Sequence, residues 1–170
     1  GYATAYLPFG VEIGKTTSVP KAKGTWTFED GTVAGTGSAT LAATEGVTFA
    51  DGAVTVPVGD KLTMTTGLGD LTTYAFMMDV KINNENAGKY TALYQNKPNN
   101  DGDGSLFFYN HKTNGRGIGL NSGGLGYGAQ GSIALDTWYR VIFSCEENIP
   151  TIYVDGVKVA AATSAVVEQI

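Results

Sequence analysis

Apolar positions along the chain recur every second residue, in short segments separated by glycine-containing turns. In residues 74–82 every second side chain from Tyr74 is apolar, and Asp79 and Lys81 fall on the opposite side of the strand. Residues 137–145 alternate in the same way, with Tyr139 at the start of the apolar series. The pattern predicts two strands, each with one face in a core.

A tight hairpin is predicted within residues 151–159, because Asp155-Gly156 is a residue pair that readily adopts the positive φ of a type I′ turn. Further strands are predicted at 24–28, 53–58, 61–65, 90–95, 105–109 and 117–120, whereas residues 160–170 fit either a helical turn or a strand. No segment holds a helical period long enough for crossover helices. The expected fold is an all-β, two-sheet antiparallel β-sandwich.

Composition narrows the classes of function. The 170 residues, 42% hydrophobic and 16% charged, fit one domain, with residues 1–23 as a lead-in segment packed on a sandwich of residues 24–170. A net charge of −5 with 11 Lys and Arg disfavours nucleic acids and anionic membranes as partners. No apolar run is long enough to span a bilayer. The single Cys145 lies in an apolar strand, which favours a buried structural thiol over a reactive one.

Three segments carry a resemblance to a known family. They are residues 26–30 (WTFED), residues 74–80 (YAFMMDV), and residues 135–141 (LDTWYRV) followed by 152–156 (IYVDG). Their order and spacing resemble the concanavalin A-like lectin and glucanase superfamily, particularly its laminin-G-like branch, over most of the chain. The resemblance implies a jelly-roll sandwich of two curved sheets, in a secreted or cell-surface bacterial protein that binds glycans or other proteins.

The resemblance also implies an open sheet edge. Members of this branch continue past the Asp-Gly hairpin with at least one more core strand, so the sandwich is expected to lack its last strand. An unpaired edge favours strand pairing with another copy or with the rest of a parent protein.

Aromatic and amide side chains form a candidate glycan site, because planar rings stack on sugar faces and amides hydrogen-bond to hydroxyls. If Leu93, Leu106 and Phe108 face the core, alternation places their neighbours on the outer surface. The predicted carbohydrate-binding residues are Tyr94, Asn96, Phe107, Tyr109, His111, Asn121 and Tyr127. The alternative is that a neighbouring domain covers this stripe.

The segment at residues 99–105 (NNDGDGS) is a candidate Ca²⁺ site. Asp101 and Asp103 supply carboxylates, and the glycines permit a tight turn. A solvated Asp-Gly hairpin turn is the alternative interpretation.

Catalytic patterns are weak in this sequence. Glycosidases of the resembled superfamily carry several carboxylates on one strand, whereas Asp79 stands alone and the adjacent Glu146 and Glu147 are expected on opposite faces. His111 could act in a Ser-His-Asp arrangement, but the sequence has no Gly-x-Ser-x-Gly motif to supply the nucleophile. The P-loop-like residues 10–16 are one residue too short. The sequence therefore predicts a non-catalytic carbohydrate-binding or adhesion module, with a structural protein-interaction domain as the alternative and a glycoside hydrolase third.

Overall fold

The computed structural model describes residues 21–83, 86–95, 106–112, 115–120 and 126–165. Within these ranges all regular structure is β-strand, and every strand pairs antiparallel with its neighbour. The all-β antiparallel prediction is confirmed. The same ranges contain no helix long and apolar enough to cross a bilayer.

The chain divides into two compact units, residues 1–67 and residues 68–170. The assignment of residues 24–170 to a single domain stays a prediction, and so does the lead-in segment at residues 1–23, of which residues 1–20 lie outside the described residues.

The described part of the first unit consists of short antiparallel ribbons. Its strands are β1 (Gly24–Thr25), β2 (Thr36–Gly37), β3 (Thr40–Ala43), β4 (Thr48–Ala50), β5 (Ala53–Thr55) and β6 (Leu62–Thr65). Strand β1 pairs with β2, β3 with β6, and β4 with β5. The turn between β4 and β5 uses Asp51 and Gly52, both at positive φ, because such a turn matches the twist of the flanking strands.

The predicted strand at residues 24–28 is wrong beyond Thr25. Phe28 has a φ of 59°, which lies in the left-handed region and ends the extended conformation. Its ring instead packs against Phe49, with ring centroids 6.0 Å apart. This segment therefore differs from the first core strand of the resembled family, to which residues 26–30 correspond.

The second unit contains two four-stranded sheets. Its strands are β7 (Tyr74–Lys81), β8 (Tyr90–Tyr94), β9 (Leu106–His111), β10 (Gly115–Leu120), β11 (Gly126–Gly128), β12 (Trp138–Glu146), β13 (Ile149–Val154) and β14 (Val157–Ala161). One sheet has the strand order β8-β9-β10-β11, and the other has the order β7-β12-β13-β14. The chain therefore leaves β7 for the first sheet and returns to the second sheet at β12, beside β7.

The two sheets of the second unit share one hydrophobic core. Its buried members come from both sheets and from the loops beside them: Ile82, Phe108, Ile118, Ile133, Val141, Phe143, Cys145, Ile152 and Val154. At one margin Phe76 of β7 meets Tyr94 of β8, with ring centroids 4.5 Å apart. At the other margin Gly128 of β11 lies against the backbone of Val159 in β14. This arrangement is that of a β-sandwich.

Two tight turns set the register of the second sheet. Asp155 and Gly156 both have positive φ, which confirms the predicted hairpin. The turn between β12 and β13 is built in the same way from Glu147 and Asn148. Asp155 also accepts a hydrogen bond from the Arg140 amide at 2.8 Å, which ties the hairpin to β12.

Candidate functional site

The outer surface of the β8–β11 sheet carries a stacked pair of tyrosines. Phe108 of β9 is fully buried in the core, so its neighbour Tyr109 lies on the outer surface. Tyr90 of the edge strand β8 is directly opposite Tyr109 in the register. The two rings stack face to face, with centroids 4.2 Å apart and an interplanar angle of 7°. We call Tyr90 and Tyr109 the tyrosine pair.

Backbone hydrogen bonds fix the tyrosine pair in register. The Asn110 amide donates to the Lys89 carbonyl at 3.1 Å, and the Gly88 amide donates to the Asn110 carbonyl at 2.5 Å. Gly88 has a φ of 79°, a conformation that glycine adopts without strain. The turn before β8 therefore determines that Tyr90 faces Tyr109.

The exposed part of the tyrosine pair lies at the sheet edge. Tyr90 keeps 50% of its surface exposed, whereas Tyr109 is half-buried. On the other side of Tyr109 the register places Gly117, and Gly119 follows between Phe107 and Tyr127. Both glycines are buried. Of the tyrosine pair, Tyr90 therefore presents the more accessible ring.

Among the predicted carbohydrate-binding residues, the structure places Tyr109 on the outer surface. The predicted outward orientation of Tyr94 is wrong, because its ring packs against Phe76 and the shared core. The reason is a register irregularity between Ala92 and Tyr94, which disturbs simple alternation along β8.

For the other predicted site residues, the structure does not describe the side chains, so these assignments stay predictions. The description covers only the backbone for three of them, within β9 and β11: Phe107, His111 and Tyr127. The remaining four lie outside the described residues: Asn96, Asn121, Asp101 and Asp103. The predicted Ca²⁺ site is thus not described. Elsewhere, in the described ranges, no group of three or more His, Cys, Asp or Glu side chains is placed to hold a metal ion.

The outer surface of the other sheet combines exposed apolar groups with charged side chains. We call this surface, on strands β7, β12 and β13, the β12 face. Met77 is 59% exposed and Trp138 is 52% exposed. The Lys81 ammonium lies 5.4 Å from the ring centroid of Trp138, within the range of a cation–π contact. Large exposed apolar side chains beside charges are typical of interaction surfaces.

Arg140 and Asp79 form a bidentate ion pair across β12 and β7. The Arg140 Nε donates to Asp79 Oδ1 at 2.8 Å, and its Nη2 donates to Oδ2 at 2.7 Å. These hydrogen bonds lower the pKa of Asp79 and raise that of Arg140. Asp79 therefore serves as a partner for Arg140, and it is poorly suited to act as a general acid.

A shallow depression of about 300 Å³ lies at the far end of the β12 face. It is lined by Ser144, Glu146, Glu147, Ile149, Thr151 and Tyr153. The expectation that Glu146 and Glu147 point to opposite faces is wrong, because Glu147 occupies a turn with a φ of 49° rather than a strand position. Both carboxylates therefore border the same depression.

The Cys145 side chain belongs to the core. It is 2% exposed, and its thiol donates to the Thr72 carbonyl at 3.7 Å. Burial raises the pKa of the thiol, which keeps it protonated and unreactive. The prediction of a buried structural thiol is confirmed.

Comparisons with protein-family models, with curated proteins and with solved structures found no match.

Sequence reasoning missed two features of these surfaces. Tyr90 was not selected, because only the register shows that it lies opposite Tyr109. The available signal was a tyrosine at the start of a predicted strand, immediately after a glycine-containing turn. The shared depression was missed because the Glu147-Asn148 pair lacks the glycine that usually marks a tight turn.

Proposed function

We propose that the chain is a non-catalytic carbohydrate-binding module of an exported, cell-surface or secreted protein, and that the tyrosine pair is its binding platform. The observation that carries the proposal is the parallel stacking of Tyr90 and Tyr109, with Tyr90 half exposed at the edge of a sheet. A pyranose ring presents a flat apolar face of C–H groups, and an aromatic ring held rigidly at a surface is a suitable partner for it.

Rigidity supports this assignment. Tyr109 supports one face of the Tyr90 ring, and the backbone bonds of Asn110 to Gly88 and Lys89 hold the two strands together. An aromatic group that is already fixed loses little conformational entropy when a ligand binds. The outer surface of a sandwich sheet is also where the resembled lectins place ligands. Under this proposal the two sheets belong to a jelly roll of the concanavalin A-like type.

A protein-interaction domain is the second candidate. The exposed Met77 and Trp138 on the β12 face favour it, because neither side chain is needed by the core. A glycoside hydrolase is the third candidate, and Glu146 and Glu147 at the depression are the carboxylates that it would use.

Glycan-array screening of the full chain tests the proposal. We expect binding to one class of oligosaccharide, with Tyr90→Ala weakening it by about tenfold or more, since an exposed aromatic anchor carries much of the energy at such sites. Tyr153→Ala is the matched control, because it removes a half-buried tyrosine from the opposite sheet. Loss of binding in the control with retention in Tyr90→Ala would place the site on the β12 face. No binding on the array would refute the proposal.

A further inference from the structure

The charges on the β12 face are separated along the strand direction. At one end the Lys81 ammonium lies over Trp138, the first residue of β12. At the other end lie Glu146, the last residue of β12, and Glu147 in the following turn. Along β7 and β12, positive charge therefore stands at the beginning of β12 and negative charge at its end. The Arg140–Asp79 ion pair between them is neutral, and Lys158 of β14 lies beside Tyr153, level with Ile142.

An apolar row crosses the same face at the midpoint of β12. The strand has nine residues, Trp138–Glu146, so Ile142 is its centre. Met77 of β7 and Tyr153 of β13 lie directly opposite Ile142 on either side. Met77 is well exposed, and Ile142 and Tyr153 are half-buried.

We propose that the β12 face binds a second copy of the chain, across a two-fold axis that runs along the row Met77, Ile142 and Tyr153. This axis reverses the strand direction of the second copy, as an isologous interface requires. It sets β12 of one copy over β12 of the other in antiparallel fashion.

Along β7 and β12, the two-fold axis makes the face self-complementary in charge. Since Trp138 and Glu146 are equidistant from Ile142, each Trp138–Lys81 pair lies opposite the Glu146 and Glu147 carboxylates of the other copy. The contact occurs twice, once at each end. Opposite charges placed in this way fix the register of an interface and disfavour other arrangements.

Shape agrees with charge. The depression of about 300 Å³ lies beside Glu146, opposite the exposed indole of Trp138 in the other copy. Tyr153 and the hydroxyl groups of Ser144 and Thr151 line it, which suits an aromatic ring with one polar edge. Tryptophans in such pockets are frequent anchors of protein interfaces.

The area of the β12 face sets the expected affinity of the dimer. Nine strand residues span about 26 Å, and the three strands of the β12 face cover about 14 Å, so the two faces together bury about 750 Å². This value is below the size of a standard specific interface and falls in the range of weak, transient contacts. The expected product is a weak, salt-sensitive dimer in the micromolar range.

Sedimentation velocity of the full chain at low and high salt tests the proposal through charge reversal. Lys81→Glu is expected to raise the dimer dissociation constant about tenfold, and Glu146→Lys with Glu147→Lys is expected to do the same. Combining all three substitutions restores opposite charges and is expected to return the constant to the wild-type value. Lys112→Glu is the control, because Lys112 is an exposed lysine in the turn after β9 and its reversal is expected to change nothing.

A second variant, Met77→Glu, tests the role of the apolar row. Met77→Glu places two carboxylates at the two-fold axis and is expected to yield monomer, and an unchanged melting temperature shows that the variant folds. Wild-type protein that stays monomeric up to about 200 µM at low salt would overturn the proposal. A dimer that Lys81→Glu leaves intact, or weakened variants that the triple substitution fails to restore, would overturn it equally.

Discussion

Tyr74→Phe is expected to stabilise the protein, although it deletes a polar group. The Tyr74 hydroxyl is buried and has no hydrogen-bond partner within the described residues. The register places Cys145 opposite Tyr74, but the thiol is a weak hydrogen-bonding group and already donates to the Thr72 carbonyl. Burial is the main cause that raises the pKa of Tyr74, and the nearby Cys145 thiol raises it further. Both agree with a hydroxyl that is removed from water.

The magnitude follows from the cost of desolvation. A buried hydroxyl without a partner costs about 1–3 kcal/mol, and the weak thiol contact recovers part of that. The ring itself, which stacks on Phe143 with centroids 6.0 Å apart, is unchanged in phenylalanine. We therefore expect Tyr74→Phe to raise the free energy of unfolding by about 1 kcal/mol. The melting temperature should rise by about 2–4 °C.

Urea unfolding followed by circular dichroism measures this change, with Tyr139→Phe as the matched control. The Tyr139 hydroxyl accepts a hydrogen bond from the Ala134 amide at 2.9 Å and donates to the Ser132 carbonyl at 3.4 Å. Its removal is expected to cost about 1 kcal/mol. A loss of about 1 kcal/mol or more in Tyr74→Phe would show that its hydroxyl is satisfied and would refute the reasoning.

Three further predictions concern the same unit. Asp79→Asn should cost less than about 1 kcal/mol, because the pair with Arg140 is exposed. Because the pKa of Asp79 is lowered, the stabilisation from its ion pair is complete above about pH 4 and disappears as the pH falls through the folded-state pKa. The melting curves of wild type and variant should therefore converge in acid. Cys145 should resist a thiol reagent at pH 8 in the native state and react fully in urea, and rapid native labelling would contradict its burial. Gly128→Ala should lower the free energy of unfolding by more than about 2 kcal/mol, because the added Cβ meets the Val159 carbonyl. An unchanged melting temperature would show that β11 and β14 move apart easily at this contact.

Much of the second unit could be predicted because its strands alternate strongly. Residues 74–82 and 137–145 correspond to β7 (Tyr74–Lys81) and β12 (Trp138–Glu146) with the expected buried faces. The Asp155-Gly156 hairpin carried its own turn signal. Where a period of two and a turn residue agree, local sequence and tertiary burial impose the same structure.

The first unit was harder to predict. Strands β2, β3 and β4 were missed, because threonine, alanine and glycine give little contrast between the two faces of a strand. Strand β11 was missed as well, since Gly126–Gly128 has the composition of a turn and is held as a strand by pairing with β10.

The candidate site could be predicted only in part. Alternation along β9 placed Tyr109 on the outer surface, but it failed for Tyr94, because the register irregularity in β8 has no signal in local sequence. The partnership of Tyr90 with Tyr109 depends on which residues meet across two strands. A single sequence does not contain that information.

The most direct test of carbohydrate recognition is an NMR titration of the tyrosine ring signals with the oligosaccharide that the array selects. The proposal predicts that the ring signals of Tyr90 and Tyr109 shift in a saturable manner, while those of Tyr153 on the opposite sheet stay unchanged. Saturable shifts at Tyr153 and Trp138, with Tyr90 and Tyr109 unmoved, would contradict the assignment of the tyrosine pair as the binding platform.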